Sequence, residues 1–287
     1  MRKLLSWPAF FLIIIASLGI DTAYYGYRVL FRCQTEGRVP VKKDPQLKTS
    51  LADDISRLSS LLSQTDVDDA VAKELRSHWI AAGFSTLLTE TSPDWIGMER
   101  KGQKGEATIT LIAAPFFKLS KENTAATLGA LNEVGKLLKD LPLNQNLVFA
   151  AHTNPKEVES VPASFLQRPK DAVFLLSGIY PESRDDEGRL RLHLYSDLGA
   201  RGFSNVVSSL FSMYSTYPLT CVKCLLPNLN PPPMNGRLVQ FLKGRKAVAL
   251  FKEEQGTPLD YEKLADFTTG LAKTVQVLAQ VEERNLP

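Results

Sequence analysis

Side chains able to do chemistry are few in this sequence, and they cluster behind apolar runs. His152 follows such a run at residues 147–151 and is itself followed by Thr153, Asn154, Glu157 and Glu159. Lys252, Glu253 and Glu254 follow a second run at residues 247–251, and Glu122 stands a little beyond Phe116 and Phe117, which follow a third at residues 108–113. A histidine and carboxylates gathered at strand ends are the raw material of metal-assisted hydrolysis, in which some hold the cation and a further carboxylate acts as general base. A two-zinc site needs several of each. His152, Glu253 and Glu254 are too few for that.

The other reactive residue types have plainer readings. His193 alternates with Arg189 and Arg191 and is expected on a strand's exposed side, while His78 follows Glu74 by four residues, the spacing of a surface pair on a helix. Ser177 precedes Gly178 without the G-x-S-x-G frame that a serine hydrolase requires. Asp185-Asp-Glu-Gly188 reads as a turn ahead of a strand, with weak calcium binding as the sharper alternative. Cys221-Val-Lys-Cys224 has the spacing of a local disulfide, a redox pair or half a zinc site, but no second cysteine pair or nearby histidine completes four ligands.

These residues need a frame to hold them. Apolar spacing predicts helices over residues 51–62, 66–82, 125–139, 204–214 and 258–283, the last opened by a capping box of Thr257, Pro258 and Asp260 with proline at the first helical position. Strands are expected near 85–90, 95–100, 108–113, 147–151, 173–177, 190–194 and 247–251, with 190–194 near an edge. The alternation predicts an α/β fold with a mostly parallel central sheet and helices on both faces. In such a sheet ligands bind beyond the carboxyl ends of the strands.

Composition bounds the rest. A chain of 287 residues, 44% apolar and 23% charged, fills one sizeable core, and a net charge of +3 gives no concentrated basic face of the kind nucleic acid demands. Residues 4–20 carry no charge and follow Arg2 and Lys3, so residues 1–31 are expected to be a signal-anchor or single transmembrane segment, 32–50 a linker and 51–287 the α/β domain. Export is the expected fate of that domain, although Arg28, Arg32, Arg38, Lys42 and Lys43 outnumber Arg2 and Lys3, a bias that would hold it in the cytosol. Orientation stays open.

Ala114-Pro115-Phe116-Phe117, Glu122-Asn-Thr-Ala-Ala-Thr127, Thr153-Asn154, Ser177-Gly178 and Gly256-Thr-Pro-Leu-Asp260 follow the predicted strands in turn. With the order of elements from residue 66 onward, they resemble the zinc-dependent aminopeptidase family, to which glutaminyl cyclases also belong. The resemblance places the family's Ala-His-x-Asp on residues 114–117, so that Pro115 and Phe117 replace two ligands. It places Asp-Asp-Asn-x-Ser-Gly on residues 122–127, where Glu122 alone could bind a metal. The paired glutamates fall near Thr153 and Asn154, the next aspartate on Ser177 or Gly178, and the terminal His-Thr-Pro-x-Asp on residues 256–260.

That resemblance implies a degenerate, ligand-poor member, similar in plan to two membrane-tethered silent relatives, the peptidase-like domain of nicastrin and the peptidase-like subunit of the GPI transamidase. It implies no catalytic residue and no cofactor, and a protein or peptide partner in a membrane complex, received by a crevice lined by Phe116, Phe117, Glu122, His152, Asn154 and Glu254. Two alternatives stand beside it. One is a hydrolase with a reduced single-zinc site built from Glu122, His152 and Glu253 or Glu254. The other is an exported redox or assembly factor using Cys221 and Cys224.

Overall fold

A computed structural model describes residues 32–35, 44–63, 67–87, 94–105, 107–154, 156–158, 160–166, 171–182, 192–224, 236–252 and 256–280. The apolar segment expected as an anchor lies outside the described residues, as do Asp185-Asp-Glu-Gly188, Glu253 and Glu254. Among the described residues no helix is long and apolar enough to cross a membrane.

Among the described residues nine strands form one sheet: β1 (Arg32–Thr35), β2 (Thr86–Leu87), β3 (Trp95–Arg100), β4 (Thr108–Ala113), β5 (Asn146–His152), β6 (Ala172–Leu176), β7 (Leu192–Asp197), β8 (Leu219–Cys224) and β9 (Ala247–Phe251), in the order β1-β8-β7-β9-β6-β4-β5-β3-β2. The pairs β9-β6, β6-β4, β4-β5 and β7-β8 are parallel, whereas β1-β8, β7-β9, β5-β3 and β3-β2 are antiparallel. The mostly parallel sheet expected from the sequence is therefore corrected to a mixed one with a parallel centre. A strand–helix–strand rhythm signals parallel pairing only where a helix provides the crossover. That holds for β4 and β5, but β2, β3 and β4 follow one another with no helix between them. β7, expected near an edge, is interior, and its half-buried His193 stacks on Tyr195 at 5.8 Å between ring centres.

Alternation along the strands gives the sheet two apolar faces. Ile109, Leu111, Phe149, Phe174 and Leu250 point to one, and this face is covered by five helices: α1 (Pro45–Leu61), α2 (Val67–Ala81), α3 (Lys121–Leu138), α4 (Arg201–Tyr214) and α6 (Tyr261–Gln280). Ile112, Val148, Leu175 and Ala249 point to the other, where the short helix α5 (Gly236–Leu242) and the segment holding Val158, Val161 and Phe165 provide the cover. Helices do lie on both faces, but very unequally.

Helix starts moved toward the N-terminus where a cap had been passed over. Asp44 accepts from the N–H groups of Gln46 and Leu47 and Pro45 opens α1, six residues ahead of the expected 51, so the stretch read as a linker supplies a strand and a helix start. Ser120 caps α3 by accepting from the N–H of Asn123. α6 begins at Tyr261, where Asp260 accepts from the N–H groups of Glu262 and Lys263, so Asp260 alone is the cap and Thr257 and Pro258 lie ahead of the helix. Residues 219–224 and 236–242, left without elements in the sequence reading, form β8 and α5.

An ion-pair network ties α1, α2 and α3 together. The buried Asp54 carboxylate lies 3.1 Å from Lys136 Nζ, 3.3 Å from Arg57 Nη2 and 3.5 Å from His78 Nδ1, while Glu74 takes Arg57 Nη1 at 2.6 Å and His78 Nε2 at 3.2 Å. The spacing of Glu74 and His78 thus marks a real pair, but one drawn inward by Asp54. Burial pushes the Asp54 carboxyl up, yet hydrogen bonds from His78 and Lys136 and the charge of Lys136 outweigh it and hold the group below its ordinary value. Lys136 is the mirror case. Burial lowers it, and Glu133 and Asp54 together raise it above the ordinary lysine value.

The signs fix a pH window. A carboxyl depressed on folding contributes stability above its unfolded value, near 3.9, and loses it as pH falls through the lower folded value; a raised lysine contributes below about 10.4 and loses it as pH climbs. Chemical denaturation followed across pH is expected to show stability falling at both extremes. Asp54→Asn should flatten the acid limb and reduce stability at neutral pH, because Lys136 and His78 lose a buried partner.

Candidate functional site

The four parallel strands β4, β5, β6 and β9 finish at the same end of the sheet, and the segments beyond them meet there. Beyond β4 come Ala114, Pro115, Phe116 and Phe117; beyond β5, Thr153 and Asn154; beyond β6, Ser177 and Gly178; beyond β9, Lys252. Backbone bonds lock these segments together. The N–H of Ala114 donates to Leu176, that of Ser177 to Leu250 and that of Lys252 to Gly178, at 2.8–3.0 Å.

Aromatic rings occupy the space between them. Phe116 is 1% exposed and Phe117 9%, so both rings are buried. Phe116 packs on Phe241 of α5 at 5.6 Å and Phe117 on Phe251 of β9 at 4.5 Å. Ser177 serves this packing. Its Oγ accepts the N–H of Phe116 at 3.0 Å, which satisfies a buried donor and fixes the bend after β4.

The residues after β6 close against the start of α3. Gly178 has φ +136, and a Cβ there would come within 2.8 Å of Leu119 Cδ2 and 3.3 Å of Asn123 Oδ1, so only glycine admits this approach. Thr127 Oγ1 accepts the N–H of Ile179 at 2.9 Å and donates to the Asn123 carbonyl at 2.9 Å. Asn123 is buried, and its Nδ2 finds no hydrogen-bond partner among the described residues.

Of the remaining expected site residues, His152 and Asn154 meet at the end of β5. Glu122 is exposed in the first turn of α3, and Glu254 lies outside the described residues. His152, 7% exposed, sits at the end of β5 with Nδ1 2.7 Å from the Asn154 carbonyl, an acceptor, so this nitrogen carries the proton. Nε2 is 3.9 Å from Asp94 Oδ2, and the ring stands edge-on to Trp95 at 5.1 Å. Asn154, half-buried, holds the turn by accepting the N–H of Lys156 on Oδ1. Among the described residues no group of three His, Cys, Asp or Glu side chains is placed to hold a metal ion.

Two buried charges at this end were not foreseen as partners in the architecture. Glu182 is fully buried. Its Oε1 accepts the N–H of Thr257 at 3.3 Å, its carbonyl accepts Lys263 Nζ at 2.8 Å, and its backbone bridges Leu259, so it seats the turn that leads into α6. Lys252 is 2% exposed directly after β9. Its place after an apolar strand was the one signal available; nothing in the local pattern announced Glu182.

Cys221 is fully buried and disulfide-bonded. Three residues along a strand separate two Cα atoms by about 10 Å, beyond the roughly 7 Å that a disulfide spans, so the local Cys221–Cys224 bond expected from the spacing is corrected. The register of β1 on β8 sets Cys33 opposite Cys221.

No protein-family profile matches the sequence, and no curated protein sequence matches it. Solved structures do. The chain is similar to the Legionella pneumophila LapA aminopeptidase (12% identity, 85% of this chain and 78% of that one, TM-score 0.54) and to Fimbriiglobus ruber glutaminyl cyclase (12% identity, 83% and 97%, TM-score 0.53). It is also similar to a Zn-dependent exopeptidase from Parabacteroides distasonis (10% identity, 82% and 98%, TM-score 0.51). The chain has the fold of these proteins, as its element order led one to expect.

If the crevice is filled as described, Phe116→Ala should cost about 3–5 kcal/mol in chemical denaturation, the range for removing a buried phenyl ring. A loss below about 1 kcal/mol, as at an exposed site, would place that ring in water.

Proposed function

We propose that this chain is a catalytically silent, peptidase-like domain that serves as a scaffold in a membrane-associated assembly, tethered by its N-terminal apolar segment and lying outside the cytoplasm. The observation that carries this reading is the burial of Phe116 and Phe117 at the carboxyl end of the parallel strands, packed on Phe241 and Phe251. Ligands of such a sheet bind at that end, and among the described residues no group there is placed to hold a metal ion. Pro115 and Phe117 stand at two positions that the resemblance assigns to ligands, and His152 has Nδ1 committed to a backbone carbonyl.

The filled crevice also moves the expected partner. Rings packed into the interior offer no cleft for a peptide, so contact with a companion protein falls to the outer surface of the domain. The disulfide at Cys221 supports placement in an oxidising compartment, since such bonds are rare in the cytosol. Its complete burial weighs against a redox role, which requires an accessible sulfur.

Two measurements on the full-length chain, extracted in detergent, test the proposal. Metal analysis is expected to find far less than one equivalent of zinc, unchanged in His152→Ala, and no chelator-sensitive hydrolysis of aminoacyl or glutaminyl peptides. One tightly held equivalent lost on that substitution would restore the single-metal hydrolase. Native sizing of the same extract is expected to show the chain in a particle well above its own 31.8 kDa.

A further inference from the structure

We propose that the end of the sheet remote from the crevice is the surface by which the domain lies on an anionic phospholipid bilayer, turning the crevice away from it. At that end β4, β5, β6 and β9 begin, and β3 and β7 finish. The segments capping it carry exposed basic side chains: Lys101 and Lys104 between β3 and β4, Lys139 between α3 and β5, Arg201 at the start of α4, and Lys243 and Arg245 between α5 and β9.

Among the described residues fewer acidic side chains accompany them. The described acidic residues of the same segments are Asp140, Asp171 and Asp197. Asp171 is buried and accepts the N–H of Thr108 at 3.1 Å, while Asp197 Oδ2 accepts the N–H of Gly244 at 3.2 Å. That last bond also fixes the Lys243–Arg245 turn beside the start of α4. The crevice end differs, with Lys118, Lys121, Lys156 and Arg237 interspersed among Asp94, Glu122, Glu157 and Asp260, and Arg237 paired with Glu157 at 3.9 Å. Among the described exposed side chains, basic ones outnumber acidic ones at the remote end.

The path of the chain selects a bilayer as the occupant. β8 runs parallel to β7, and β1 runs antiparallel to β8, so β1 starts at the basic end with Arg32. Residues 21–31 separate it from the uncharged run at residues 4–20, and eleven residues reach at most about 40 Å. With that run in a membrane, as the tether in the proposed function requires, the basic end is held within reach of the lipid headgroups. Attraction between basic side chains and anionic lipid acts over about one Debye length, near 8 Å at physiological salt, which favours contact over suspension.

Native lysines report the orientation. The full-length chain would be reconstituted in phosphatidylcholine vesicles with and without phosphatidylglycerol, acetylated briefly, and read by peptide mass spectrometry after flotation. Acetylation of Lys101, Lys104, Lys139 and Lys243 is expected to slow on anionic vesicles, with Lys118, Lys121 and Lys156 unchanged, and the protection is expected to be lost in 1 M salt and weakened in a Lys243→Glu/Arg245→Glu variant. Equal rates at both ends, or protection of the crevice lysines, would overturn the orientation while leaving the tether intact. A chain that fails to float with vesicles would overturn the tether and this proposal with it, whereas the absence of zinc and activity would stand unaffected.

Discussion

The parallel strands at the centre of the sheet present apolar side chains to both faces, so water must be excluded twice. Ile109 and Leu111 on one face and Ile112 on the other come from a single six-residue strand. Five helices satisfy the first face. The second has one short helix and an irregular segment, and it draws on Phe165, Phe241 and the two rings after β4 to complete its cover. Gly97 shows how tight that cover is, because a Cβ there would fall 2.2 Å from the Phe165 ring. The segments beyond β4 thereby become part of the interior.

The alternation of strands and helices was legible because periodicity survives without context. Runs such as 108–113 and 247–251 matched their observed strands residue for residue. Pairing direction was not legible, since neighbours in a sheet are set by crossovers the sequence does not display. Helix starts were missed where a cap lay inside polar sequence, as with Asp44-Pro45 and Ser120. At the candidate site the types of residue were readable and their exposure was not. Phe116 and Phe117 are apolar in any reading, but whether they line a cleft or close it depends on Phe241 and Phe251, more than a hundred residues away.

Glu182 and Asn123 show the same limit from the polar side. Each is buried because its surroundings are built across the fold: Glu182 by the turn at Thr257–Asp260 and the side chain of Lys263, Asn123 by the close approach of Gly178. The Thr-Pro-Leu-Asp stretch joins Glu182 to α6, with Leu259 bridged to Glu182 and Asp260 capping the helix.

The placement of β1 has a mechanical consequence. Its four residues pair with β8 along the full length of the strand, and the chain enters from one end of that ladder. Tension arriving through the leading segment would run along the strand axis and load all the rungs together, in shear, instead of peeling them open one at a time. An edge strand attached in this way can bear a pull on the leading segment while the folded interior behind it remains undisturbed.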